Sequence, residues 1–169
     1  MKGSLTVAVF VVLAVFLNRS MFAQLALTRG ELDWRQGNVP SAISFAKRAL
    51  WIDPQFEPAA ARLIGLERQY DIHASRSDAE ALAPRFPNDV AFNREYGRVV
   101  FVQGDYRQSA AMFDKIAAEK GAIGDDVLRA AFSYDNLHER GDTCRVLIDG
   151  VGRFPSDERI GQERRALCT

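Results

Sequence analysis

The chain has 169 residues, enough for one domain and a short additional segment. Its 22 basic and 22 acidic residues cancel, which leaves no cationic excess for a nucleic-acid footprint. Two cysteines without CxxC or metal-ligand spacing, and two histidines 65 residues apart, exclude a cysteine-rich metal domain and supply no assembled catalytic constellation.

The first predicted element is the run LTVAVFVVLAVFL at 5–17, apolar except for Thr6, with Lys2 before it and Asn18, Arg19 and Ser20 after it. Its length suits the core of a cleaved signal peptide better than a span of about 20 residues. The cleavage site argues the other way, because a cut after Ala23 places Met21 where a small residue belongs. Apolar residues resume with Met21, Phe22, Leu25 and Leu27, so the preferred expectation is an uncleaved membrane helix over 1–20 that runs on into the next helix, with Arg19 reaching back to the interface. Lys2 ahead of the run keeps the amino terminus cytoplasmic and places the remaining chain on the extracytoplasmic, periplasmic side.

Helical spacing of apolar residues, such as Phe92, Tyr96, Val99 and Val100, predicts helices over 21–36, 39–52, 57–70, 75–84, 89–103, 106–119, 124–140, 143–153 and 156–167. No segment shows the strict alternation of a strand. Gly37, Gly104 and Gly141 read as helix-ending residues, and Asp105 and Asp142 as the N-caps that follow two of them. Pro54, Pro87 and Pro155 close units 33 and 68 residues apart, and RFPND at 85–89 returns as RFPSD at 153–157. The pairs Gly30/Gly37 and Gly97/Gly104 are separated by 67 residues, about twice a 34-residue period, which is the mark of stacked helix pairs.

The segment GELDWRQGNVPSAISFAKRALWIDP, with Gly30, Gly37, Ala42, Ala49 and Pro54 in register, resembles a tetratricopeptide repeat. YGRVVFVQGDYRQSAAMF at 96–113 follows the same pattern with Ser109 in place of the first alanine, and SYDNLHERGD at 133–142 keeps Tyr134 and Gly141. Residues 56–87 lack the helix-ending glycine, and Arg29 and Asp33 stand where the family buries large apolar groups. The resemblance implies an all-α solenoid of about four hairpins over 21–155, closed by a polar helix over 156–169.

It also implies that the first helix of each hairpin lines an inner groove. On this chain the candidate protein-binding residues are Glu31, Trp34 and Arg35, then Arg94, Arg98 and Phe101, then Asp135 and His138. Arg94 and Arg98 share a helix face and suit a carboxylate, unless Glu95 or Asp105 occupies them. Trp34 and Phe101 are either interface anchors or packing between repeats. Cys144 opens the last hairpin's second helix and Cys168 ends the closing helix that packs on it. A disulfide between them and two unpaired small apolar side chains are both compatible with that placement. The sequence implies no cofactor, metal or catalytic residue. The expected function is a membrane-anchored, non-enzymatic scaffold that binds other proteins, as a subunit or assembly factor of a membrane complex. The alternative is a periplasmic or secreted small-ligand binder or enzyme accessory released from its leader.

Overall fold

The computed structural model describes residues 18–168, and the apolar run at 5–17 lies outside them. Among the described residues there are nine α-helices and no strand: α1 (Arg19–Arg35), α2 (Val39–Ile52), α3 (Glu57–Tyr70), α4 (Ile72–Leu82), α5 (Val90–Val102), α6 (Tyr106–Ala118), α7 (Gly124–Asn136), α8 (Arg140–Arg153) and α9 (Glu158–Leu167). A short 3-10 turn, Ala83–Arg85, follows α4. Consecutive helices pair as hairpins, α1 with α2 through α7 with α8. Each hairpin packs on the next, and α9 covers α7 and α8. No helix among the described residues is long and apolar enough to cross a membrane.

The hairpin turns repeat one device. Asn38, Asp105 and Glu139 each donate their backbone N–H to a carbonyl five residues back, on Asp33, Val100 and Tyr134. The residue before each of them, Gly37, Gly104 or His138, has positive φ. This is the helix-ending motif that favours glycine. The fourth turn therefore corrects the sequence reading. His138, at φ 59°, ends α7, and Gly141 and Asp142 lie inside the first turn of α8 rather than ending one helix and capping the next. The period explains the substitution, since His138 stands 34 residues after Gly104. The second hairpin needs no glycine because Asp71 alone separates its helices. Its backbone is extended, and its carboxylate accepts the N–H groups of His73 and Ala74 at 3.0 and 3.1 Å. That cap starts α4 at Ile72, three residues earlier than the pattern predicts.

Small side chains recur on the second helices at Ala42, Ser75, Ser109 and Thr143, all fully buried. The first three face a buried position on the first helices occupied by Gly30, Ile64 and Gly97, and the buried Ala131 stands one 34-residue period after Gly97. The Ser75 hydroxyl donates to the carbonyl of Ile64 at 3.0 Å, and that of Ser109 to Gly97 at 3.5 Å. Close approach explains the two glycines. A Cβ on Gly30 would come within 2.9 Å of Phe45 Cβ, and one on Gly97 within 2.9 Å of the Phe113 ring. Asp33 is buried as a satisfied polar group, accepting from Ser41 Oγ at 2.5 Å, while Arg29 stays exposed beside it.

The buried apolar side chains form two clusters. One runs from Ala23 to Val100 across α1–α5, and the other from Phe113 to Ile160 across α6–α9. Cys144 and Cys168 are joined by a disulfide with their Cα atoms 5.5 Å apart, which ties the end of α9 to α8.

Candidate protein-binding groove

The inner wall of the stack takes one helix from each hairpin, and between α3 and α5 it deepens into a cavity of about 530 Å³. Pro58, Ala61, Gly65, Arg68 and Gln69 line it from α3 together with Arg62, and Ala91, Arg94, Glu95 and Arg98 line it from α5. The first five stand 34 residues after Gln24, Leu27, Glu31, Trp34 and Arg35, the inward positions expected on the first hairpin. The floor is small-residued, and at Gly65 a Cβ would meet the Glu95 carboxylate at 3.3 Å, so glycine admits that carboxylate to the α3 backbone.

The walls are a ladder of charges. Arg62 Nη2 lies 2.7 Å from Glu31 Oε2, and its guanidinium sits 4.3 Å above the centre of the Trp34 ring. Arg35 approaches Glu31 at 3.6 Å from the next turn of α1. Further along, Glu95 holds Arg68 at 3.3 Å and Arg98 at 2.6 Å, and Arg98 continues to Asp125 at 3.0 Å. Arg129 contacts the same Asp125 and stacks over Phe101 at 5.4 Å. Arg94 makes a two-pronged bond to Asp126 at 2.7 and 2.8 Å and also donates to the carbonyl of Gly121. Partial burial opposes ionisation of Asp125, but the hydrogen bond from Arg98 and the charges of Arg129 and Arg98 outweigh it and hold its carboxyl below the usual aspartate range.

Structure and sequence expectation compare residue by residue. Glu31, Trp34 and Arg35 come together at one end of the ladder, joined by Arg62. Arg94, Arg98 and Phe101 come together at the other, joined by Asp125, Asp126 and Arg129. Asp135 is exposed in the last turn of α7, and His138 belongs to the hairpin turn. Arg62 and Arg68 escaped the sequence reading because their hairpin lacked the glycine used to set the register; adding one period to the first hairpin's inward positions finds Arg68 directly and Ala61, the neighbour of Arg62. Six arginines (35, 62, 68, 94, 98 and 129) face four carboxylates (31, 95, 125 and 126) along this wall, an excess of two positive charges. Two of their N–H groups, Arg62 Nε and Arg98 Nε, are buried without an acceptor. Among the described residues, no group of three or more His, Cys, Asp and Glu side chains converges as a metal site.

Comparison with solved structures places this architecture. MamA from Desulfovibrio magneticus RS-1 superimposes with a TM-score of 0.71 at 13% identity, covering 84% of this chain and 81% of that one. The fold is tetratricopeptide-like. A tetratricopeptide repeat protein from Parabacteroides merdae matches with a TM-score of 0.53 at 10% identity, covering 86% of this chain and 72% of that one. A thermophilic TPR protein of Thermus thermophilus matches with a TM-score of 0.50 at 13% identity, covering 86% and 98%. At such identities the likeness is one of fold. No family model matches the sequence, and no curated protein matches it.

Proposed function

We propose that this tetratricopeptide-like stack is a scaffold that receives an acidic segment of a partner protein in its inner groove, and that residues 5–17 hold it at a membrane with the groove on the extracytoplasmic side. The observation that carries the reading is the groove itself: a cationic excess of two, with Arg62 and Arg98 each presenting a buried N–H that lacks an acceptor. Buried donors favour a ligand that completes them, and a carboxylate-bearing chain does so with complementary charge. The partner is either a fellow subunit of a membrane complex or a client bound during its assembly. Co-purification from native membranes tests the reading. The unaltered chain is expected to retain a stoichiometric protein partner, and Arg62→Gln with Arg98→Gln to lose it while staying helical. Retention of the partner by the double variant would place the docking surface elsewhere.

A second reading is a small-ligand binder released from its leader. It rests on an apolar cavity of about 250 Å³ at the open end of the α5–α6 hairpin, lined by Val90, Met112 and Ile116. Native mass spectrometry showing a bound small molecule on a chain that lacks residues 1–23 would favour it over the scaffold.

A further inference from the structure

Helix α1 has three faces, and only two have partners within the stack. Ala23, Ala26, Gly30 and Asp33 are buried. Leu27, Glu31 and Trp34 belong to the groove side. The remaining arc, at about one hundred degrees per residue, collects Met21, Phe22, Leu25, Thr28, Arg29 and Leu32. Its apolar members are 59, 43, 68 and 46% exposed at Met21, Phe22, Leu25 and Leu32. Among the described residues, nothing covers these four side chains where another hairpin would stack.

The open end of this hairpin adds a second apolar group at the same level. Ser20 Oγ donates to Asp53 at 2.5 Å and Arg19 pairs with it at 3.6 Å, so the end of α2 is pinned beside the start of α1. Trp51, two residues before Asp53, is 82% exposed. An exposed tryptophan at the same end of a hairpin as an arginine suits a membrane–water boundary, where an aromatic ring sits among headgroups and a long cation reaches past it.

We infer that the open end of the α1–α2 hairpin, through Met21, Phe22, Leu25 and Trp51, is a lipid-facing surface seated in the boundary region of the bilayer. This rests on the anchoring of residues 5–17. The length of that run argues for it: its thirteen residues are fewer than the roughly 20 needed to cross a hydrocarbon core, and Met21, Phe22 and Leu25 carry the apolar character on after it in the sequence. In the sequence Asn18 alone separates this run from α1. A lipid surface covers both the run and the stripe.

The chain contains two tryptophans, which makes the test direct. Trp34→Phe leaves Trp51 as the reporter, Trp51→Phe leaves Trp34 in the groove, and Leu25→Trp in a background lacking both reports on the α1 stripe. Each full-length chain is reconstituted into vesicles of phosphatidylethanolamine and phosphatidylglycerol whose acyl chains are brominated near the glycerol, and flotation is measured before fluorescence. The expected result is that all three float, that the reporters at positions 51 and 25 lose most of their emission, and that the one at position 34 keeps it. Flotation without quenching at 51 and 25 would overturn the lipid-facing surface while leaving the anchor in place, and a second copy covering the stripe would give that outcome with a dimeric chain. Failure to float would overturn the anchor and this surface together.

Discussion

Arg94 on α5 closes both prongs of its guanidinium on the carboxylate of Asp126 at the start of α7, and Asp126 is fully buried. The same carboxylate accepts the N–H of Ile123 at 2.9 Å, so one side chain both starts α7 and receives α5. Removing the cation strands a buried charge. Arg94→Ala is expected to destabilise the chain by about 2–4 kcal/mol, and Arg94→Lys to recover only part of it because an ammonium lacks the two-pronged geometry. Chemical denaturation of the three chains measures this. Equal midpoints would show that Arg94 is free for a ligand.

Two glycines and a histidine report on the register with opposite signs. Gly97→Ala places a methyl 2.9 Å from the Phe113 ring and is expected to lower stability by about 1–3 kcal/mol. Gly141 has open space around it inside α8, so Gly141→Ala is expected to raise stability by about 0.5–1 kcal/mol. His138→Gly relieves a left-handed backbone and is expected to be neutral to stabilising by up to about 1 kcal/mol. Thermal melts decide it. A loss of stability in Gly141→Ala would restore that glycine as the helix-ending residue.

The first hairpin was legible in the sequence almost to the residue, because glycine, alanine and proline each answer a steric demand that no larger residue meets. The fourth was misregistered because the same demand is met there by His138, and a positive φ leaves no trace when the residue is not glycine. The groove was half legible. Its inward positions follow from the period, but the partners that Arg94 and Arg98 choose depend on how far apart the helices stand. Asp125 and Asp126 lie about one repeat beyond the arginines they meet, and local spacing carries no record of that distance.

The disulfide between Cys144 and Cys168 closes a segment with a sequence separation of 24, worth about 3 kcal/mol on a chain-entropy estimate. Helix α9 packs on α7 and α8 at the end of the stack, so the loss is expected to appear there first. Reduction should speed hydrogen exchange over residues 158–167 ahead of the rest of the stack. Two alkylatable thiols in a non-reduced, denatured preparation would refute the bridge.

Acid is expected to unfold the chain partly through two aspartates. The hydrogen bond from Ser20, with a backbone bond from Gln55 and the charge of Arg19, holds Asp53 below the usual range against its burial, as the arginines hold Asp125. A lowered folded pKa means that the stabilisation is present above the unfolded value and is lost as pH falls through the folded one, so both withdraw support below about pH 4. Glu67 acts in the opposite sense. Burial raises its carboxyl despite the hydrogen bond from Lys47, so its contribution is lost as pH rises through the raised value. Asp53→Asn and Asp125→Asn should each flatten the acid limb of a stability–pH curve, and an unchanged limb in both would remove them from the account.

The division of the apolar interior between α1–α5 and α6–α9 makes ionic strength a selective reagent. Stacked hairpins hold together through nearest-neighbour contacts, and across this boundary α5 reaches α7 through Arg94–Asp126 and Arg98–Asp125. Added salt shortens the reach of the more exposed pair and hardly touches the buried one, while methyl groups on either side remain packed. The two halves thus share an ionic coupling through Arg98 and Asp125 whose strength the surrounding electrolyte sets.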